Sequence, residues 1–573
     1  MKLKGTNVSD GIALGEVYIF TPFKADVKEA YFEGSEAQYI VAYERAKSDA
    51  LNELISIQDK MRKTDPEKVK IFVAHTDLLD DEDMDEEIID LITDEKYLPD
   101  FAIETIFNQY KKMLAKSKNA LIRERAADME DVKNRLLRNY YGIEEHNISS
   151  LSAPVVLACH DLLPSDTATM DRKNILGFMT EVGGPTSHSA IIAKSYGIPA
   201  ILGVCDLLST VKNGQRVILD ALKGEIILDP TQKQSVEYAF KRTEFQKERA
   251  DLLKYLDIEG KTKDGVHVDI GMNIGSASIE NLKNLSHVDY VGLFRSEFLY
   301  MGKASMPSEE TQFEEYKKVL MSSKGHIVTL RSLDIGGDKT LSYWKLPKED
   351  NPFLGCRAIR LCFENQEIFK TQLRAALRAS VYGTLYLMFP MIESLDDIRR
   401  VKAIIAEVKA DLDAQGIAYS DTMKTGVMIE IPSIAMIADQ VAKEVDFASI
   451  GTNDLCQYLL ACDRMNQKLA PYYQQYHPAV FRLIDMVAKA FNAEGKSLSV
   501  CGELGGDPRA SLVLAGMGIK KLSMNISSVP RVKKGLSFFT MDELKTIATE
   551  VQTLGTHQEI GEYLSKQLAA KGI

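Results

Sequence analysis

The second half of the chain carries the pattern that most restricts the fold. Eight short apolar runs alternate with longer, helix-like stretches from Gly260 to the C-terminus, and they occupy residues 266–272, 288–294, 326–330, 385–391, 424–430, 445–450, 498–500 and 520–525. Strands and helices that alternate in this way build parallel sheets, and eight such units close into a (β/α)8 barrel. The sequence therefore predicts a barrel whose functional groups lie at the C-terminal ends of its strands.

Polar residues follow these runs directly, where turns of a purely structural barrel would more often show Gly, Asn or Ser. They are Asn273, Arg295, Arg331, Glu393, Glu430, Asn453 with Asp454, and Cys501. This placement predicts that one end of the barrel is an active-site face.

The residue types at that end suggest an anion site beside a metal. Guanidinium groups match carboxylate and phosphate oxygens, so a small, multiply charged anion is the predicted ligand of Arg295, Arg331, Arg357 and Arg464, together with Lys339. For any single arginine, an ordinary salt bridge explains the residue equally well. Glu430 and Asp454 are carboxylates of the kind Mg²⁺ prefers, although buried structural carboxylates are the alternative. Cys501 is either a packing residue or a tuned thiol.

A separate segment places one histidine in an unusual setting. In "TEVGGPTSHSAIIAKSYGIPAILGV" (180–204), His188 follows two glycines and a Thr-Ser pair and opens a predicted helix capped by Thr186 or Ser187. A helix N-terminus disfavours imidazolium and stabilises an attached phosphate. From the residues alone, however, a capping or core histidine is the favoured interpretation.

The first half of the chain contains two kinds of segment, one helical and one rich in short β-strands. Residues 35–141 contain no glycine, which predicts a helical bundle with helices near 36–61, 66–79, 83–93 and 100–140. Short β-rich runs flank the bundle and predict an α/β domain, and the charged segment 232–253 predicts an exposed connecting helix. The predicted domains are 1–24 with 146–230 (α/β), 25–145 (bundle), 231–259 (linker) and 260–573 (barrel).

Composition narrows the functional class. The net charge of −12 disfavours nucleic acid as a partner, and no apolar run approaches the roughly 18 residues of a membrane span. Seven cysteines form no CxxC pair, which fits reduced thiols. With no secretion signal visible at the N-terminus, we expect a cytoplasmic protein that neither inserts into membranes nor binds nucleic acid.

Taken together, the motifs resemble those of one known family, Enzyme I of the bacterial sugar phosphotransferase system, a phosphoenolpyruvate (PEP)-dependent protein phosphotransferase. The resemblance runs from "SDGIALG" to the end of the barrel and rests on "GGPTSHSAIIAKSYGIPAILG", "GLFRSEFLYM", "LRSLDIGGDK", "NPFLGCRAIR", "VMIEIP", "SIGTNDLCQYLLACDR" and "CGELGGD". It implies a swivelling phosphohistidine α/β domain interrupted by the helical bundle, followed by a PEP-binding barrel.

The resemblance also implies residue roles. His188 would be phosphorylated at Nε2, Cys501 would protonate enolpyruvate, and Glu430 with Asp454 would ligate Mg²⁺. PEP would be held by Arg295, Arg331, Lys339, Arg357, Asn453, Asp454 and Arg464. The bundle would bind the carrier protein HPr, and the barrel would form a homodimer.

The surface implied for HPr lies on the bundle, in or near the acidic segment 77–90. It comprises His75, Leu78, Leu79, Glu82 and Arg125, and Leu78, Leu79 and Met84 are expected to be exposed there. A solvated helix face is the ordinary explanation of such an acidic run, but it also suits a basic partner.

Two other functions fit part of the pattern. Pyruvate, phosphate dikinases and PEP synthases share the "GGxTSH" domain and the barrel, but they need an ATP-binding domain for which this sequence has no phosphate-binding glycine loop. A phosphorylation-dependent scaffold, in which the barrel senses PEP and the bundle docks regulators, is the alternative from another class.

Overall fold

The computed structural model describes the chain except residues 22, 24, 65–68, 116–119, 144–147, 149, 150, 152, 163–169, 171, 172, 185, 186, 302, 304, 338, 340, 342 and 345. It also does not describe the side chains of 60–64, 70, 71, 115, 120–127, 188, 191, 195 and 467. The chain divides into two compact units, 1–249 and 250–573.

The first unit contains a sheet of eight strands among the described residues. The strands are β1 (Lys2–Lys4), β2 (Thr6–Ser9), β3 (Ile12–Phe20), β4 (Val155–Cys159), β5 (Ile175–Thr180), β6 (Ala200–Leu202), β7 (Arg216–Asp220) and β8 (Glu225–Leu228). Their order is β1-β8-β7-β3-β4-β5-β6-β2, and the central strands β3, β4, β5 and β6 run parallel. Parallel strands buried on both faces read as continuous apolar runs, which is why this α/β layer is visible in the sequence.

Between β3 and β4 the chain forms helices, as the absence of glycine predicts. They are α1 (Ala37–Thr64), α2 (Val69–Leu79), α3 (Glu82–Thr93), α4 (Pro99–Ala115) and α5 (Ala120–Tyr140). The helices share their own core, which is separate from the cores of the sheet.

The predicted single helix over 100–140 is wrong. Helices α4 and α5 lie side by side and antiparallel. Two ion pairs between them show this: Lys111 with Glu130 at 2.7 Å and Lys133 with Glu104 at 3.0 Å. A straight helix of that length would extend about 60 Å and leave most of its apolar face without a partner. Folding back lets both halves bury that face in the bundle.

Three further helices belong to this part of the chain: α6 (His188–Tyr196), α7 (Leu207–Thr210) and α8 (Gln232–Leu253). Helix α8 is the predicted connecting helix, and its residues Val236 and Phe240 are exposed. Only Tyr238 is buried among its described side chains.

The second unit is a closed parallel barrel. Its strands are β9 (Asp269–Ile274), β10 (Tyr290–Arg295), β11 (Val328–Arg331), β12 (Leu385–Phe389), β13 (Lys424–Ile429), β14 (Phe447–Ile450), β15 (Ser497–Val500) and β16 (Lys521–Met524). Each of the eight predicted runs overlaps one of these strands, and the strands close into a ring, so the predicted (β/α)8 barrel is confirmed. Strand β16 pairs with β9 and closes the ring.

Helices surround the barrel and bury its outer face in one large apolar core. They are α9 (Ile279–Asn284), α10 (Glu309–Ser322), α11 (Ile359–Glu364), α12 (Gln366–Ala379), α13 (Leu395–Ala414), α14 (Pro432–Met436), α15 (Ala438–Glu444), α16 (Thr452–Leu459), α17 (Pro478–Ala493), α18 (Glu503–Gly506), α19 (Ala510–Gly516), α20 (Val529–Ser537), α21 (Met541–Thr553) and α22 (His557–Ala570). Within the described ranges, no helix combines the length and apolar character needed to span a bilayer.

Candidate active site

The predicted polar residues meet at the C-terminal end of the barrel. Arg295 and Arg331 end β10 and β11, Glu430 and Cys501 come directly after β13 and β15, and Asp454 lies in the first turn of α16. Because all eight strands are parallel, their C-terminal ends share one side of the barrel. Residues from distant parts of the sequence therefore form one site, which we call the barrel mouth.

One carboxylate, Asp334, organises the cations of the barrel mouth. It lies 2.9 Å from Arg331 Nη2, 2.7 Å from Lys339 Nζ and 2.8 Å from Arg357 Nη2. Burial alone would raise the pKa of Asp334, but the three cations lower it well below its usual value. Asp334 is thus an ionised, almost fully buried carboxylate that contacts three cations.

A second carboxylate, Glu297, shares two of these cations. Its Oε1 accepts hydrogen bonds from Arg331 Nη2 and from Lys339 Nζ, the latter at 2.9 Å. Glu297 is 1% exposed. Two carboxylates thereby hold three positive side chains together, which leaves one positive charge in excess among these five groups.

The remaining predicted anion ligands surround this cluster. Arg357 Nη2 lies 3.7 Å from Asp454 Oδ2, and Arg464 Nη1 lies 3.3 Å from Asp454 Oδ1. Burial lowers the pKa of Arg295; the positive charge of Arg331 lowers it further, whereas the negative charge of Glu297 raises it. The side chain of Asn453 accepts a hydrogen bond from the backbone of Glu503 at 3.0 Å.

Glu430 and Asp454 have the features of a metal site. Glu430 is 1% exposed, and burial together with the charges of Asp454 and Asp334 raises its pKa to about 8. Glu430 Oε1 accepts a hydrogen bond from Met391 N at 2.7 Å. Asp454 Oδ1 has no hydrogen-bond partner in the described part of the chain. Buried carboxylates that repel one another in this way fit a divalent cation that binds between them.

Two non-glycine residues beside the barrel mouth have positive φ. Ala358 (φ 52°) follows Arg357, and Met391 (φ 57°) supplies the N–H that Glu430 accepts. Such backbone strain costs free energy of about 1–3 kcal/mol and is commonly found at functional sites. Here one strained residue adjoins Arg357 and the other donates a hydrogen bond to Glu430.

Cys501 is buried at 4% exposure, and Asn273 Nδ2 donates a hydrogen bond to its carbonyl at 2.8 Å. Burial raises the pKa of the thiol to about 11, although Ser449 and Arg331 act in the opposite direction. At neutral pH the thiol therefore keeps its proton. A protonated thiol beside cations is suited to donate that proton to a developing carbanion.

Several buried polar atoms at the barrel mouth lack hydrogen-bond partners among the residues that the structure describes. They are Arg295 Nε, Ser296 Oγ, Glu297 Oε2, Arg331 Nε, Ser332 Oγ, Arg357 Nε, Asp454 Oδ1 and Gln457 Nε2. Such atoms are rare in folded proteins and are costly unless something satisfies them. Their concentration here indicates a polar ligand site.

The loop before His188 is held by hydrogen bonds of the first unit. Ser187 caps helix α6, because its Oγ accepts from Ala190 N at 3.2 Å, and Ser189 Oγ donates to Asp161 Oδ1 at 2.9 Å. Gly183 has φ 108°, which favours glycine. His188 is the first residue of α6, as predicted, but its side chain, like residue Thr186, lies outside the described part of the chain.

Comparison with known proteins identifies the family. Three models of PEP-utilising enzymes match, the N-terminal domain over 4–125, the mobile domain over 151–224 and the PEP-binding domain over 249–540. The phosphoenolpyruvate-protein phosphotransferase of Bacillus sp. (strain S) is 42% identical over 566 residues, which are 98% of each chain. Those of Bacillus subtilis and Staphylococcus aureus are each 40% identical over 98–99% of both chains.

The chain belongs to the phosphoenolpyruvate-protein phosphotransferase family.

In this phosphotransferase, the residues predicted to contact a partner protein lie on the helical bundle but are not all exposed. Glu82 is exposed and Leu78 is half-buried, whereas Leu79 is only 4% exposed. Met84, also expected at the surface, is buried as well. The expectation of exposed Leu79 and Met84 is wrong because their helices direct both side chains into the bundle core.

His75 is likewise buried, at 1% exposure. Its Nε2 lies 3.5 Å from Asp128 Oδ1 and its Nδ1 lies 4.0 Å from Asp131 Oδ2 on helix α5. His75 is therefore not part of the surface in this structure. Arg125 lies in α5, and its side chain is outside the described part.

The sequence prediction missed Glu297 and Asp334, which organise the cations of this phosphotransferase. Each acidic residue stands two or three positions after a strand-end arginine, in "RSE" and "RSLD". This short spacing after a strand-end arginine was the feature of the sequence that could have identified both carboxylates. Tyr458 was also missed; its Oη accepts from Arg357 Nη1 at 3.3 Å and donates to Phe353 O at 2.6 Å.

Proposed function

We propose that this enzyme transfers the phosphoryl group of PEP first to its own His188 and then to a histidine of the carrier HPr, releasing pyruvate. This is the first step of PEP-dependent sugar uptake, and we propose that it takes place in the cytoplasm. The observation that carries the proposal is the buried cluster of three cations and adjacent carboxylates at the barrel mouth, in a chain similar over its full length to phosphoenolpyruvate-protein phosphotransferases.

The cations would bind and orient PEP. Arg331, Lys339 and Arg357 are held together and retain donor groups, so they suit the phosphate and carboxylate oxygens of a small anion. Arg295, Arg464 and Asn453 would complete the site. Positive charge concentrated in a buried site stabilises the negative charge that spreads over the phosphoryl oxygens during transfer.

Glu430 and Asp454 would hold Mg²⁺. When bound, the ion would supply positive charge to the phosphate and enolate oxygens. The pKa of Glu430, raised by burial and by neighbouring carboxylates, supports this assignment, as does Asp454 Oδ1, which has an ion-pair neighbour in Arg464 but accepts no hydrogen bond from the described residues.

The transfer would begin with attack of the neutral His188 Nε2 on phosphorus. A P–N bond forms, the P–O bond to the enol oxygen breaks, and the enolate leaves. Cys501 would then give its thiol proton to C3, so that pyruvate forms. The N-terminus of α6 would disfavour an imidazolium at His188 before transfer and stabilise the phosphate afterwards.

The domain assignment follows the same proposal. Residues 1–24 and 146–230 would form the mobile phosphohistidine domain, 25–145 the HPr-binding bundle, 231–259 the linker, and 260–573 the PEP-binding barrel, which would also dimerise. We propose that Leu78 and Glu82 contact HPr directly, since they are the more accessible of the predicted residues. Arg125 stays a candidate for the same surface. Leu79 and His75 would support it from the core.

The test is the intact mass of the purified protein after incubation with PEP and Mg²⁺, beside His188→Ala and an ATP control. We expect one acid-labile phosphate on the wild type only, formed from PEP and lost when HPr is added. Absence of this label would overturn the proposal. A label formed from ATP instead would favour dikinase-like chemistry.

A further inference from the structure

We infer that Asp334 and Glu297 are positioning residues for this reaction, which hold Arg331, Lys339 and Arg357 in the arrangement that receives the phosphoryl group. The inference rests on the proposed function. In this role each carboxylate acts through the cations that it binds.

The contacts of Asp334 are shared between its two oxygens. Oδ2 lies within 3 Å of both Arg331 Nη2 and Lys339 Nζ, at 2.9 and 2.7 Å, while Oδ1 accepts from Arg357 Nη2 at 2.8 Å. The three cations come from three separate segments: the end of β11, the loop after it, and the residue before the strained Ala358. A single buried carboxylate thus sets the distances among all three.

Glu297 repeats this arrangement for two of the cations. Its Oε1 contacts Arg331 Nη2 and Lys339 Nζ, whereas Arg357 pairs with Asp334 and Asp454. Loss of Glu297 would leave the contacts of Arg357 to Asp334 intact. The structure therefore predicts that Glu297 matters less than Asp334.

The cations keep donors for a ligand despite these contacts. Within the described residues, Arg331 Nε and Arg357 Nε have no hydrogen-bond acceptor. An ammonium has three donors, and Lys339 Nζ donates to two acceptors among the described residues, Glu297 Oε1 and Asp334 Oδ2. The carboxylates thus fix the cations without using all of their donors.

Charge counting agrees with this role. With Glu430 ionised, as a metal ligand must be, the barrel mouth contains five cationic side chains (Arg295, Arg331, Lys339, Arg357 and Arg464) and four carboxylates (Glu297, Asp334, Glu430 and Asp454), which leaves one excess positive charge. A PEP trianion with Mg²⁺ carries one net negative charge and would neutralise it. Without Asp334 and Glu297, the cations would repel one another and spread apart.

Loss of Asp334 should therefore affect the alignment of the cations for phosphoryl transfer more than it affects the affinity for PEP. Replacing Asp334 by Asn keeps the shape of the side chain but removes its charge, so the mouth becomes more positive while the cations lose their common acceptor. Attraction of an anionic substrate then offsets the lost geometry in binding. It does not restore the alignment needed for transfer, where a displacement of about 1 Å can cost about 100-fold in rate.

The experiment measures both quantities in D334N and E297Q. The single-turnover rate of His188 phosphorylation is measured with PEP and Mg²⁺, and the Kd of PEP is measured by calorimetry in a His188→Ala background. The matched control is E309Q, because Glu309 also pairs with two arginines, Arg374 at 2.9 Å and Arg378 at 2.7 Å, but on the flank of the barrel.

We expect D334N to lower the phosphorylation rate by about 100-fold and to change Kd by less than about threefold. E297Q should lower the rate by about 10-fold, and E309Q should leave it within about twofold of wild type even where its thermal midpoint falls. If D334N does not fold, the ratio of rate loss to Kd change in E297Q decides the question.

Unchanged rates in both variants would overturn the inference, as would a rise in Kd that matches the fall in rate. A wild type that PEP does not phosphorylate would overturn the proposed function as well. These failures are distinguishable, because wild-type activity is measured first.

Discussion

Gly451 gives the sharpest test of the proposed Mg²⁺ site, since its Cα lies against the side chain of Glu430. A Cβ added at Gly451 would come within 2.9 Å of Glu430 Oε2, 3.0 Å of Met428 Sδ and 3.1 Å of Glu430 Cβ. The backbone of Gly451 (φ −86°) is accessible to alanine. Gly451→Ala therefore perturbs the site through contact alone and not through backbone strain.

The expected size follows from these distances. Comfortable contacts between heavy atoms begin near 3.5 Å, so the carboxylate of Glu430 must move by about 0.5 Å. Mg²⁺ demands near-ideal geometry at Mg–O distances of about 2.1 Å, and such a shift is a large fraction of that distance. We expect kcat/KM for PEP to fall by about 10- to 100-fold and the free energy of unfolding to fall by about 1–3 kcal/mol.

The assay is HPr phosphorylation as a function of Mg²⁺ concentration, together with thermal unfolding. Gly451→Ala should require more Mg²⁺ for half-maximal rate. The control is Gly535→Ala in helix α20, where the nearest atoms to an added Cβ lie at 3.6 and 3.9 Å and alanine should be neutral or stabilising by up to about 1 kcal/mol. A Gly451→Ala variant with wild-type Mg²⁺ dependence and rate would refute the assignment of Glu430 to the metal.

Three other outcomes are expected. In Cys501→Ala, His188 should still be phosphorylated, but enolpyruvate should leave the enzyme before pyruvate forms, and transient absorbance of the enol would detect it. Cys456→Ala, at another buried cysteine, is the control and should behave as wild type. A Cys501→Ala variant that released pyruvate directly would exclude the thiol as the acid. Burial and neighbouring carboxylates raise the pKa of the Glu430 carboxyl from 4.5 to about 8, so the folded state binds the extra proton between these values. The stability that this proton contributes is fully present below pH 4.5 and is lost as the pH rises through about 8. Adding Mg²⁺ to a metal-free preparation should abolish this fall in stability. A metal-free protein whose stability does not fall over this range would contradict the raised pKa of Glu430. Stiffening the linker between residues 230 and 260 should slow turnover more than it weakens PEP binding, and equal effects on both would contradict the proposed domain movement.

Local patterns were enough to predict the barrel. Its strands are covered by helices outside and by side chains such as Met388, Met428 and Phe447 inside, so each strand is a short apolar run. The positions of Arg295, Arg331, Glu430 and Cys501 were also predictable, because a residue that directly follows a strand must lie at the strand's C-terminal end.

Other features could not be predicted from local patterns. Apolar periodicity was continuous enough over 100–140 to suggest one helix, and only packing in the bundle shows that it folds back. The burial of Leu79 and Met84 depends on which face of each helix meets its neighbours. In the acidic segment 77–90 the exposed charged residues outnumber the buried apolar ones, so the sequence suggests an exposed face throughout.

The sequence by itself determined the class of the molecule: a helical bundle within an α/β layer, a (β/α)8 barrel, and a ring of polar residues at the strand ends. Those features depend on hydrophobic periodicity, which acts between residues close together in the chain. Only the tertiary structure decided which charges meet. Asp334 joins Arg331, Lys339 and Arg357, and Asp454 lies near Arg357 and Arg464; the longest of these contacts, between Arg357 and Asp454, spans 97 positions of the sequence. Electrostatic contacts depend on separation in space, and the closure of the barrel brings these distant side chains together.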